Sequence, residues 1–205
     1  MLFNEIKLPV QKRSKARLAL VIETTVKILE TEGIAQCTIP EIALRSKLPK
    51  INSYQYFPTV NHLFSIMVKN YLDELQHEVS FKSEYFDTWT AQEICKVLIE
   101  RVCIFYNEHK AASVLILGGP VHVDGFNLQE VVIEKISSDI HYILSHKQRP
   151  VYFNSPNDMT YLVEMVFALM KHSFYKFGEI IDEIQAECVS VSDLYLRHKG
   201  LQLEL

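Results

Sequence analysis

The sequence predicts an all-α fold. Apolar residues recur at three-and-four spacing through every long segment, and the seven prolines and six glycines fall largely between those segments. No segment alternates apolar and polar residues with the period of a strand, and no repeat or low-complexity tract interrupts the pattern. A length of 205 residues suits one compact domain or a small module joined to a larger one, and a hydrophobic content of 48% supports a packed core and argues against disorder. No stretch reaches the roughly 18 consecutive apolar residues of a membrane span. The start, MLFNEIKLPVQKRSKAR, lacks the continuous apolar region of a signal peptide, so a cytoplasmic protein is expected.

The first helix is expected over Ser14 to Glu32, where Leu18, Val21, Ile22, Thr25, Val26 and Leu29 share one face and Gly33 supplies the stop. Thr38-Ile-Pro-Glu41 has the Thr-x-x-Glu spacing of a capping box, and Pro40 is tolerated in a first turn. It opens a short second helix that carries Ile42 and Ala43 inward and ends near Ser46. Lys47 and Leu48 form a tight turn before a third helix, Lys50 to Phe57, which Pro58 breaks. Thr59 caps a fourth helix with Val60, Leu63, Phe64, Met67, Tyr71, Leu72 and Leu75 along one face. Two short helices across a tight turn form a helix-turn-helix unit. Further helices are expected at 91–108, 111–117, 127–146, 157–177 and 179–197, separated by Gly118-Gly119-Pro120 and by the stretch 149–156.

Charge is unevenly spread. Residues 1–60 hold nine Lys/Arg against five Asp/Glu, a balance of +4, whereas residues 61–205 hold twelve against twenty, a balance of −8. A basic arm (Lys12, Arg13, Lys15, Arg17) ahead of a three-helix module fits the footprint of a nucleic-acid reader. The four cysteines form no Cys-x-x-Cys pair, and Cys95 and Cys103 lie roughly 12 Å apart along one helix, too far to bridge, so buried thiols are expected. His122-Val-Asp124 and the pair His141 and His146 lack a third ligand at helical spacing, so no metal or other cofactor is expected. No nucleophile elbow, phosphate loop or dinucleotide fingerprint is present, so the chain is not expected to be an enzyme.

Residues 14–64 resemble the DNA-binding domain of the tetracycline-repressor (TetR) family of transcriptional regulators. The resemblance rests on a long helix ending in Glu32-Gly33, then Thr38-Ile-Pro-Glu-Ile-Ala43, then Tyr54-Gln-Tyr-Phe-Pro-Thr59 and Leu63. It implies a DNA-binding domain at 1–60 and a helical ligand-binding and dimerisation domain at 61–205. By that resemblance Thr38 meets a phosphate at a helix N-terminus, Lys50 and Asn52 touch phosphate or bases, and Tyr54 and Tyr56 bond phosphates while bracing the helix. Gln55 reaches a base edge, and Arg45, Lys47, Thr59 and His62 complete the expected contact set. Pro49, Ile51, Ser53 and Val60 depart from the family's usual serine, glycine, apolar residue and lysine.

The resemblance also implies an apolar effector cavity in the C-terminal body. Aromatic and soft residues that could line it include Phe105, Tyr106, Phe126, Tyr142, Phe167, Met170 and Phe174, with Trp89 a further member of the same class. The segments near 157–177 and 179–197 carry wide apolar faces, and the resemblance implies that they pair with a second copy. The expected function is therefore a dimeric, ligand-responsive regulator of double-stranded DNA, a repressor released from a palindromic operator by a small, largely apolar molecule. The alternative is an interaction protein that keeps the helix-turn-helix fold with weakened DNA binding, motivated by Pro49, Ser53 and Val60.

Overall fold

The computed structural model describes residues 11–48, 59–79, 88–118 and 128–202. Along the chain run α1 (Lys12–Glu32), a 3-10 turn (Ile34–Gln36), α2 (Ile39–Ser46), α3 (Val60–Val79), α4 (Ala91–Glu108), α5 (Lys110–Ile116), α6 (Leu128–Ser145), β1 (Val151–Phe153), α7 (Asp158–Phe177), α8 (Asp182–Lys199) and β2 (Gly200–Gln202). The expected helices outside 50–57 are all present, with ends within three residues of those read from periodicity except that α3 runs to Val79, four residues past Leu75. The third helix expected at Lys50 to Phe57 lies outside the described residues. Among the described residues no helix is long and apolar enough to cross a membrane. The chain divides into two compact units, each built from two stretches: residues 1–73 with 109–128, and residues 74–108 with 129–205.

In the first unit α1 packs against α2 and α5. Its buried face is Val21, Thr24, Thr25, Ile28 and Leu29, so two threonines stand where a purely apolar stripe would be simplest. Each hydroxyl donates to the carbonyl one turn back, Thr24 to Leu20 at 2.8 Å and Thr25 to Val21 at 2.7 Å, which satisfies the group before it is buried. Gly33 closes α1 at φ 80°, donating its N–H to the Ile28 carbonyl, a left-handed cap that glycine adopts freely. From α5, Ala111, Ala112, Ser113, Leu115 and Ile116 are all buried, as suits a short helix covered on most sides. Leu63, Phe64, Met67 and Val68 of α3 add to the buried set.

In the second unit α8 packs on both α4 and α7. Thr90 and Glu93 make a reciprocal cap at the start of α4. The Glu93 N–H donates to Thr90 Oγ1 at 3.2 Å, and the Thr90 N–H donates to Glu93 Oε2 at 2.7 Å. The corner between α7 and α8 is held by side chains. Asn107 donates to the Ile180 carbonyl and accepts from the Ile180 N–H, both at 2.8 Å, while the Ser173 hydroxyl donates to the Glu179 carbonyl and accepts from the Ile181 N–H. These bonds take the backbone of residues 179–181, which is why α8 starts at Asp182 rather than at Glu179. All four cysteines are buried free thiols, and burial pushes Cys103 and Cys188 up to about 12, which keeps both protonated.

One feature departs from the all-helical expectation. β1 and β2 pair antiparallel, with Val151 opposite Gln202, Tyr152 opposite Leu201 and Phe153 opposite Gly200. Strands of three residues are too short to show a period in the sequence. Gly200 makes the junction from α8 to β2 possible, because a Cβ there would lie 2.6 Å from the Leu196 carbonyl oxygen and 3.0 Å from Val151 Cγ1. Gly200→Ala is expected to cost about 1–3 kcal/mol, read as a lower denaturant midpoint; an unchanged midpoint would show that the ribbon can shift freely.

Candidate nucleic-acid interface

The described half of the helix-turn-helix begins at Thr38, whose extended backbone precedes α2 and whose Oγ1 accepts the Glu41 N–H at 3.4 Å. Only this half of the expected capping box forms. The Glu41 carboxylate turns instead to Arg45 Nε at 2.6 Å, and the Thr38 N–H goes to the Gln36 carbonyl. Arg45 also forks onto both oxygens of Glu32, at the end of α1, with Nη2 to Oε2 at 2.9 Å. The hydrogen bonds that Arg45 donates to Glu32 and then Glu41 raise its pKa, and the bond to Arg45 lowers that of Glu32. Two carboxylates thus answer one guanidinium, and the exposed Arg45 side chain links α1 to α2.

Lys47 ends α2 in the left-handed region at φ 55°, with its N–H directed at the Ala43 and Leu44 carbonyls and the Leu48 N–H reaching Ala43 at 3.2 Å. This is the tight turn that the sequence predicts, built on a residue whose Cβ disfavours it. Lys47→Gly should therefore stabilise the unit by about 1 kcal/mol, seen as a higher melting temperature; a lower one would mean that the Lys47 side chain contributes more than its backbone costs. The side chain itself is exposed. At the start of α3, Thr59 Oγ1 and His62 Nδ1 lie 2.8 Å apart, both half-buried, so the pair is mutually oriented. Lys50, Asn52, Tyr54, Gln55 and Tyr56 lie outside the described residues.

Lys12, Arg13, Lys15 and Arg17 are all exposed on the opening turns of α1, whose first turn carries no acidic residue. Among the described residues none of the four has a carboxylate partner, in contrast to Lys27, which bonds Glu23 at 2.8 Å on the same helix. Positive charge at a helix N-terminus opposes the helix dipole, so these cations gain from an external anion.

The second unit encloses a narrow cavity of about 60 Å³ lined by Cys95, Leu98, Ile99, Val102 and Tyr106 of α4, Ile136 and Ile140 of α6, Leu162, Val163, Val166, Phe167 and Met170 of α7, and Ser192 of α8. Among the described residues no charged side chain lines it. Burial raises the pKa of the Tyr106 phenol and pushes the Cys95 thiol up to about 11, so the wall stays neutral. Tyr106, Phe167 and Met170 of the expected set lie on this wall. Phe105 is buried beside it, edge-on to Tyr106 at 5.7 Å between ring centroids, and half-buried Phe174 is off the wall. Tyr142 is 63% exposed and stacks on His146 at 4.1 Å, and Phe126 lies outside the described residues. Most of the lining is aliphatic; its signal in the sequence is the three-and-four spacing of Cys95, Leu98, Ile99 and Val102.

This architecture has counterparts among solved structures. It matches a TetR-family transcriptional regulator from Streptomyces coelicolor with a TM-score of 0.64, over 89% of this chain and 98% of that one, at 13% identity. The chain has the TetR-family fold. Two further proteins of this architecture are the multidrug binding protein EbrR complexed with imidazole (TM-score 0.62, 12% identity, 86% and 94% covered) and the flavonoid-responsive regulator FrrA (TM-score 0.57, 16% identity, 90% and 97% covered). No protein-family profile and no curated relative matches the sequence. The TetR fold therefore rests on structure, at identities of 12–16%. Among the described residues no group of three His, Cys, Asp or Glu is placed to hold a metal ion.

Proposed function

We propose that the protein is a dimeric, ligand-responsive transcriptional regulator that binds double-stranded DNA and leaves it when a small neutral molecule occupies the apolar cavity. The observation that carries this reading is the four unanswered cations on α1 beside a Thr38-capped helix and its tight turn at Lys47, within the TetR fold. Residues 1–60 act as the reading part, with Thr38, Lys47, Lys50, Asn52, Tyr54, Gln55, Tyr56, Thr59 and His62 facing DNA and Arg45 bracing α2 in place. Residues 61–205 act as the sensing and pairing part. Solved proteins of this fold described as multidrug binding and flavonoid-responsive support an effector of apolar or aromatic type. The neutral lining favours an uncharged effector, and the small volume means that side chains must move to admit it. Such a ligand shifts the equilibrium only by binding the DNA-free arrangement better. Neighbours described as regulators also favour a role without catalysis.

Pairing through α7 is supported by an exposed stripe at 161, 165, 168, 172 and 175, which falls on one helix face and contains Tyr161, Met165, Ala168 and Tyr175. A two-fold dimer places two reading helices about 34 Å apart or a multiple of it, matching a palindromic operator, and a repressor is the simplest outcome of such occupancy. Binding of the full chain to genomic fragments across a salt titration tests the proposal. Sequence-selective binding that weakens steeply with salt is expected, and its absence would sink the proposal. That result would instead favour an interaction protein of the same fold, a reading that the commitment of Arg45 to Glu32 and Glu41 keeps in view.

A further inference from the structure

A second cavity in the same unit differs from the first in its chemistry. It encloses about 340 Å³, and its wall includes Trp89, Thr90, Ala91, Lys147, Arg149 and Val151. Among the described residues no carboxylate lines it, although the 61–205 part of the chain is strongly acidic. Lys147 is buried, with 7% of its surface exposed, and its charge is felt by Glu93, whose carboxylate is held by the Thr90 N–H and hydroxyl. Arg149 is differently placed. The other arginines of this unit are engaged, Arg101 with the Glu78 carbonyl at 3.1 Å and Arg197 with Asp193 at 2.8 Å, while Arg149 is exposed and bonds no described residue. Its planar fork is suited to a carboxylate or phosphate. The rest of the wall is mixed, with Thr88, Thr90 and Gln148 polar, while the Trp89 indole, Ala91 and Val151 offer apolar surface that an inorganic anion cannot use.

We propose that this cavity is a binding site for a small aromatic carboxylate, with its carboxylate on Arg149 beside Lys147 and its ring along Trp89 and Val151. The site is separate from the neutral effector cavity and does not depend on the DNA-binding reading. Trp89 is the single tryptophan of the chain, so indole emission reports on this cavity directly. The test is a fluorescence titration of the full chain with benzoate at fixed ionic strength, with benzamide and inorganic phosphate as parallel titrants. A saturable change with benzoate is expected, at least about tenfold weaker with either other titrant, because each lacks one half of the recognition. In Arg149→Gln, an exposed change that leaves the melting temperature in place, benzoate affinity should fall by about tenfold or more. The proposal is overturned by the absence of saturation, by an equal response to benzamide or phosphate, or by undiminished benzoate binding in Arg149→Gln.

Discussion

Replacing Phe167 with alanine is expected to destabilise the second unit by about 3–5 kcal/mol. Phe167 is 5% exposed on the inner face of α7, and its ring forms part of the wall of the apolar cavity. Truncation adds the ring's volume to about 60 Å³ that is already empty, so the lining loses contacts that it cannot regain by collapsing. The denaturant midpoint should fall while the slope of the transition is kept. A loss below about 1 kcal/mol would show that the lining closes over the vacancy and that Phe167 is not a structural wall. The same variant should gain more thermal stability than the parent from a small apolar guest such as benzene, since the variant has room for a ring without side-chain movement. That second measurement separates a cavity that can be filled from a unit that has simply loosened.

The second large effect concerns DNA. Changing Lys12, Arg13, Lys15 and Arg17 together to alanine is expected to reduce the slope of log affinity against log salt by about 3–4, because each phosphate contact contributes about 0.9. Affinity at moderate ionic strength should fall by about two orders of magnitude or more, on specific and non-specific sequences alike. Folding stability should move the other way and rise slightly. Alanine is the better helix former, and the positive charges oppose the dipole at the start of α1. A variant with undiminished DNA affinity would remove the α1 cations from the interface, and a variant that unfolds would mean that they hold the fold together.

The helices were legible in the sequence because their signals are local. The three-and-four pattern from Leu18 to Leu29, the Thr38 cap and the glycine stop at Gly33 all act within a turn or two of themselves. What the sequence hides is pairing between distant residues. Thr38 and Glu41 have capping-box spacing, yet Glu41 is drawn to Arg45 because Arg45 is held from its other side by Glu32 at the end of α1. β1 and β2 are invisible to a period test and exist because α8 delivers Gly200 beside Val151. The buried face of α1 lies one step from the face that the periodicity predicts, since Thr24 and Ile28 are buried while Val26 is only half-buried; back-bonded threonines count as apolar in a packed helix. The sequence points to aromatic residues for the apolar cavity, whose lining is mainly aliphatic, and Trp89 lines the polar cavity instead.

Helix α5 has a consequence for how the protein is made and cut. It packs against α1, yet it is synthesised only after residues 74–108, which belong to the other unit. A nascent chain therefore cannot finish its first core in the order of its sequence, and must carry α1 without the cover of Ala111, Ala112, Leu115 and Ile116 until α5 has emerged. The same holds for gene fragments. A piece ending at residue 60 keeps the basic arm and Thr38 but leaves the α5-facing side of α1 open to water, which favours aggregation over folding. Residues 1–60 are therefore not a detachable cassette, and fusions meant to borrow them must carry the chain through residue 116.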